Sequence, residues 1–474
     1  MSRLIKSILT IIIFGSASSM MAQYGSFGLT DARQLGLGNT YASNSRELYA
    51  AGKNPSLLAW HANDRRLDIL FPSLSARAYN INTVTTFLND FFAQKPLDII
   101  TSIDGRYIKK ALESDGKLSL GLQIGFLAAG YTPNEKIGSF SFAMKDYIDA
   151  YLQLPTAIVE YNNGNHHLSD IYLDDFGFRS YWTRSYELSY GRMFKTNPES
   201  GVSAIYGGIG LKYITGFIFR EIQFSGGGGY EDESGVLYAT YNANSSSAFS
   251  DDINIGNAFE GQEIMSNVPF MSPVGKGFGF DAGVTVLLEP GVKLGISLTD
   301  AGLINWRGKT ERTSVSGSIR IDSTLTIEDI DSIANSIVID KQTSDHFKSH
   351  PPSAIHVGFS FMVDRFVKNF PGEMNVTVEL HQGIANSIEN PDQIRVALGL
   401  DWKPGRHWPV FLTGLSSALN SGMAWSVGLG YELKFLELYI SSPNIIPKFE
   451  NSDLQTLSLS MCWHFVKPKG EIKK

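Results

Sequence analysis

The sequence predicts an all-β protein, a transmembrane antiparallel β-barrel of about 14 strands with an N-terminal plug and a short helical external loop. Three observations predict it. Apolar residues recur at every second position in segment after segment. The links between segments alternate short and long. Only 18% of the 474 residues are charged and 43% are apolar, which excludes a disordered chain. Mean hydropathy is −0.07, and past the N-terminus no apolar run approaches the roughly 18 residues of a spanning helix.

The chain opens with Arg3 and Lys6, an apolar stretch from Ile8 to Phe14, and small residues leading to Met20-Met21-Ala22. That order reads as an export signal over residues 1–22, cut after Ala22. Gln23 follows the cut, so no lipid attachment is expected there. A net charge of −7 and a pI near 5.8 argue against a nucleic-acid partner, and the lone Cys462 excludes a disulfide framework.

Residues 23–64 break the strand pattern. Gly28 to Asn39 is too polar and Gly-rich for a wall strand, and a helix-like Glu47 to Ala51 leads into Asn54-Pro55-Ser56-Leu57. We read this stretch as a plug.

The barrel is expected over 65–466. Leu118, Leu120, Leu122, Ile124 and Phe126 alternate with Ser119, Gly121, Gln123 and Gly125, giving one greasy face and one polar or tiny face. About fourteen such segments begin near Leu67, Leu118, Ser139, Ser185, Ala204, Phe278, Val292, Ile355, Met374, Ile394, Val410, Met423, Phe435 and Thr456. Short links such as Glu289-Pro290-Gly291 and Lys403-Pro404-Gly405-Arg406 fall at every second junction. Long external loops are expected at 76–117, 146–184, 215–277 and 300–354, and a periplasmic tail at 467–474. Hydrocarbon offers no partner for backbone polar groups, so strands that span it must close on themselves. Tyr186, Tyr190, Trp402, Trp425, Tyr431, Tyr439, Trp463 and Phe465 near strand ends suit interfacial girdles. Inward Gly121, Gly125, Gly279 and Gly283 leave room for a plug.

Within the first loop, Thr83 to Glu113 has helical spacing, and Phe87, Phe91 and Phe92 form a candidate ligand-collecting element. No Gly-X-Ser-X-Gly elbow, His-Glu-X-X-His or phosphate loop occurs, so no enzyme activity, cofactor or metal is expected. His356, His381 and His464 read as solvated lumen residues. Gly226 to Gly229 reads as a flexible loop, and His166-His167, Asp251-Asp252 and Asp329 to Asp331 as solvated loops without regular ligand spacing.

The plug segment resembles the N-terminal hatch of FadL-type long-chain fatty acid transporter barrels. The matching residues are Gly36, Gly38, Asn54, Pro55 and Leu57, with Ser56 where that family usually has Ala. Phe176 to Arg192 and Leu294 to Trp306 look similar to a large uncharacterised outer-membrane family within the same group. The resemblance implies fourteen strands, a plugged lumen, an outer-membrane location and contact with its lipid. It also implies a transporter or channel for small hydrophobic compounds. The other reading is a non-transporting scaffold or secretion-associated surface protein. A continuous apolar pocket of about 300 Å3 or more at the mouth favours transport, and a polar, sealed interior favours the scaffold. The sequence leaves substrate, oligomeric state and protein partners open.

Overall fold

The computed structural model describes residues 30–60, 65–79, 116–134, 136–155, 159, 171–172, 177–195, 201–231, 236–252, 271–288, 290–321, 338–342, 346–385, 390, 393–418, 423–445 and 455–466. The expected signal, the Thr83 to Glu113 helix with Phe87, Phe91 and Phe92, His166-His167, Asp329 to Asp331 and the tail at 467–474 lie outside them.

In chain order the strands are β1 (Arg65–Tyr79), β2 (Lys117–Asn134), β3 (Gly138–Gln153), β4 (Ile171–Tyr172), β5 (Gly177–Lys195), β6 (Val202–Glu231) and β7 (Val236–Phe249). There follow β8 (Gly275–Leu288), β9 (Val292–Arg307), β10 (Thr310–Ile321), β11 (Val338–Gln342), β12 (His346–Ser349) and β13 (Ala354–Met362). The last six are β14 (Glu373–Gly383), β15 (Arg395–Lys403), β16 (Val410–Ala418), β17 (Met423–Glu432), β18 (Leu436–Ser442) and β19 (Gln455–Val466).

Fourteen strands form one closed antiparallel wall. Following the pairings gives β1-β2-β3-β5-β6-β8-β9-β13-β14-β15-β16-β17-β18-β19, and β19 returns to β1 with Ile69 opposite Trp463. Closure leaves the wall no free edge, which is what a sheet in hydrocarbon requires. Each of the fourteen segments counted in the sequence is one of these strands. The outer face carries the apolar half of the alternation: Leu188, Leu211 and Phe278 are 64%, 65% and 71% exposed. The inner half is polar and buried, as at Ser189, Lys212 and Asp281. A sheet that is greasy outside and polar inside is a transmembrane barrel.

Five strands stand outside the wall. β6 continues past the barrel to Glu231 and pairs there with β7, β7 with β10, and β10 with β11, so a sheet rises on one side of the mouth. The long loops expected at 215–277 and 300–354 therefore carry β-structure. Gly226 to Gly229 corrects the sequence reading: these glycines are part of β6, opposite Tyr241, Thr240, Ala239 and Tyr238. Inter-strand hydrogen bonds need no side chain, so a ladder formed where the apolar alternation is missing.

One expected girdle residue is also corrected. Tyr439 is fully buried and faces inward, because on β18 the outward positions are Leu438 and Ile440. Trp425, Tyr431, Trp463 and Phe465 are between 38% and 51% exposed on the outer face.

Candidate functional site

The plug fills the lumen and is built from short pieces. Asp31 caps the helix α1 (Ala32–Gly36) by accepting from the Gln34 N–H at 3.1 Å, and Gly38 ends it at φ +67°, a conformation that favours glycine. Two 3-10 turns follow, Glu47–Ala50 and Pro55–Ala59. Asn54 caps the second: its side-chain oxygen accepts from Ser56 N at 3.2 Å and Ser56 Oγ at 2.6 Å. Its amide nitrogen donates to the Ala42 carbonyl and to Thr285 Oγ1 of the wall, the latter at 3.0 Å. Leu57 is fully buried beside Leu48, Tyr49 and Leu58. Burying such a side chain stabilises by about 2 kcal/mol.

Three cross-strand rows of wall glycines receive this segment. Gly191, Gly208 and Gly283 face one another across β5, β6 and β8, under Asn54 and Pro55. Gly295 and Gly358 pair across β9 and β13, under Ala42 and Ser43. Gly399 and Gly414 pair across β15 and β16, under Leu37 and Gly38. A Cβ at Gly208 or Gly283 would overlap the Pro55 backbone or the Asn54 amide. The plug approaches the wall this closely only because no side chain intervenes. Of the four glycines expected to make that room, Gly283 touches the plug. Gly125 meets Ser73 of the neighbouring strand instead, and Gly279 meets Lys212 and Ile214.

Polar side chains finish the docking. Glu379 on β14 accepts from the Tyr41 and Ala42 N–H groups at 2.6 and 2.7 Å, while Arg395 on β15 donates to the Gly38 and Asn39 carbonyls at 2.7 and 3.1 Å. Arg33 pairs with Asp401 at 3.0 Å, and Arg46 pairs with Glu432. Lys53 pairs with Asp31 inside the plug; burial pulls its ammonium from the usual 10.5 down to about 8, against the opposing pull of Asp31. The three inward histidines are buried and engaged, which corrects their reading as solvated. His356 holds Glu379 at 3.2 Å and the Tyr41 hydroxyl at 2.8 Å, His381 holds Asn390 at 3.0 Å, and His464 holds Asp68 at 2.6 Å. Tyr41 of the plug covers His356, Asn390 covers His381 and Asp68 covers His464, so each imidazole is taken up by a protein partner rather than by the solvent of an open pore. Cys462 is likewise buried, packed in the cluster of Leu57 and Tyr49.

Between plug and mouth lies a cavity of about 150 Å3. Its floor is plug: Asp31, Tyr41, Leu48 and Lys53. Towards the mouth it meets Tyr181, Ile214, Phe219, Ile304 and Trp306. Trp306 is fully buried against Phe219 and Phe347, with ring centroids 5.2 and 6.1 Å away, and its indole fills the space that glycine leaves at Gly216 and Gly275. On a third side the cavity reaches Leu127, which is 40% exposed on the outer surface. There β2 carries a bulge between Gly125 and Leu127, and neither Phe71 nor Pro72 of β1 is paired to it. The volume falls short of the 300 Å3 expected of a transport pocket, and the lining is mixed. None of the hatch-motif residues Gly36, Gly38, Asn54, Pro55 and Leu57 lines it, since all five are taken up in packing the plug.

The profile of a family described as a family of unknown function, DUF5723, matches residues 61–442. The chain belongs to that family. In this member of DUF5723 the matched stretch contains the barrel wall as far as β18, and the described plug, residues 30–60, precedes it. No curated protein matches the sequence. Solved structures with similar folds include the Ralstonia pickettii toluene transporter TbuX, at 10% identity over 93% of this chain and 99% of that one, with a TM-score of 0.44. The Pseudomonas putida toluene transporter TodX matches at 10% identity over 93% and 98%, with a TM-score of 0.40. A Pseudomonas aeruginosa FadL homologue matches at 12% identity over 93% and 100%, with a TM-score of 0.41.

Proposed function

We propose that this protein sits in the outer membrane and passes small hydrophobic compounds through a barrel that its plug holds closed. The observation that carries the reading is the cavity above the plug, which reaches from an aromatic mouth to Leu127, where β2 bulges and Phe71 and Pro72 of β1 are unpaired with it. Apolar lining at Ile214, Phe219 and Ile304 gives an apolar molecule a favourable transfer out of water, at roughly 25 cal/mol per Å2 buried. From there it leaves past the plug, or sideways beside Leu127 into lipid. The sequence resemblance to FadL-type hatches supports the same reading.

The test is uptake by proteoliposomes. Vesicles carrying the protein should accumulate a small apolar compound faster than empty vesicles, while remaining tight to ions. Equal uptake in both removes the passage reading. The sheet β6-β7-β10-β11 beside the mouth favours a second reading, a surface scaffold that docks a partner. On that reading, removal of the sheet abolishes function and leaves uptake unchanged.

A further inference from the structure

Three turns stand side by side at one end of the barrel and repeat a chemistry that passage through the lumen does not use. They join β13 to β14 (363–372), β15 to β16 (404–409) and β17 to β18 (433–435). These six strands are consecutive in the wall, and neighbouring strands lie about 4.8 Å apart, so the turns follow one another at about 10 Å along the rim. In each turn an exposed base precedes an exposed aromatic ring: Arg365 with Phe366, Arg406 with Trp408, and Lys434 with Phe435. The ring of Phe366 stacks on Phe361 with centroids 4.2 Å apart, and Phe361 shares the outward parity of Ile355, Val357 and Phe359. That turn therefore extends the lipid-facing surface and not the lumen.

The charge is one-sided. Lys368 adds a fourth exposed cation. Against these four stand Glu373, which is exposed, and Asp364, which lies 3.7 Å from Arg365 and accepts from the Met374 N–H at 3.3 Å. Glu432 is already paired with Arg46 and Lys403. A ring at the hydrocarbon boundary with a cation beside it matches a phospholipid, whose phosphate sits just outside its acyl chains. Guanidinium and ammonium groups donate to phosphate oxygens, the guanidinium as a bidentate fork. A zwitterionic headgroup brings its own ammonium against these cations, and an anionic one does not.

We infer that this arc of turns is a docking surface for anionic phospholipid, in which Arg365, Arg406 and Lys434 hold headgroup phosphates while Phe366, Trp408 and Phe435 seat at the top of the acyl chains. The inference rests on the wall lying in a membrane and is independent of what the lumen passes.

Native mass spectrometry tests it, on the full mature chain released from nanodiscs made of equal parts phosphatidylglycerol and phosphatidylethanolamine. Phosphatidylglycerol should be retained on the order of tenfold over phosphatidylethanolamine, since each cation near an anionic headgroup is worth severalfold in affinity. Arg365→Gln, Arg406→Gln and Lys434→Gln combined should bring that ratio close to one. Lys309→Gln, which removes an exposed cation at the opposite end of β9, should leave it unchanged. If the triple variant does not fold, the wild-type ratio at low and high salt decides, because salt screens exposed charges and should lower it. Equal retention in the wild type, as a surface built for an acidic protein would give, overturns the inference and leaves the membrane reading standing. So does a preference that survives the triple change or high salt. A wild type that retains neither lipid and stays dispersed without detergent overturns the membrane reading and this inference together.

Discussion

Glu379 and Arg395, on adjacent wall strands, hold the same turn of the plug through its backbone. The carboxylate takes the N–H groups of Tyr41 and Ala42, and the guanidinium gives to the carbonyls of Gly38 and Asn39. A segment with little regular structure carries many unanswered backbone groups, and burying them requires partners from outside. Here two wall side chains of opposite charge supply four. Glu379→Ala should therefore loosen the plug by about 3 kcal/mol, since it strands two buried backbone donors and takes from His356 its carboxylate partner. In planar bilayers the wild type should conduct little and the variant should open in bursts. Unchanged conductance, together with an unchanged rate of proteolysis in the plug, would contradict that role.

The glycine rows make a sharper, paired prediction. Gly283→Ala places a methyl on Asn54 and should displace the Asn54-Pro55 turn, whereas Gly279→Ala meets nothing nearer than 3.6 Å and should be silent. The barrel should survive in both, because the wall hydrogen bonds do not involve these side chains. Gel mobility of unheated samples reports the barrel, and protease cleavage within residues 30–60 reports the plug. Equal cleavage in the two variants would sink the claim that close approach is what those glycines provide.

The wall was legible because its chemistry repeats: a lipid-facing strand must alternate, and each of the fourteen starting points was found from alternation and link length. Aromatic character alone puts Tyr439 in a girdle, whereas its parity with outward Leu438 and Ile440 puts it inside. The strand within Gly226 to Gly229 left no trace, since glycines in a ladder carry no alternating side chains. In the plug, Asn54 and Leu57 stood out by resemblance, but nothing local told that Glu379, 337 residues from Ala42, would serve it.

Lys53 gives the plug a pH dependence whose sign follows from its buried ammonium. Docked, it titrates near 8; released into solvent, near 10.5. Between those values the released form holds a proton that the docked form has lost, so docking sheds a proton and rising pH favours it. Below about 8 both forms are charged and the slope vanishes. The full window is worth on the order of 3 kcal/mol. Resistance of the plug to protease should increase from pH 8 to 10.5 in the wild type and stay flat in Lys53→Met. The comparison cancels the other groups that titrate there. A slope of the same size in the variant would assign the effect elsewhere.

The membrane reading itself rests on the outer face, where Leu211 is 65% exposed and its neighbour along the strand, Lys212, is buried on the inner side with Asp281 at 2.9 Å and Asp300 at 2.6 Å. In water an exposed Leu211→Arg would cost almost nothing, since arginine is at home on a solvated surface. In hydrocarbon the same change costs about 2–4 kcal/mol near the midplane and falls towards zero at the interfaces. Reversible folding into lipid vesicles separates the two cases. Destabilisation by Leu211→Arg, with Leu211→Phe close to neutral, is the expected result. If the arginine variant folds as well as the wild type and the purified protein remains dispersed without detergent, the outer face meets water and not lipid.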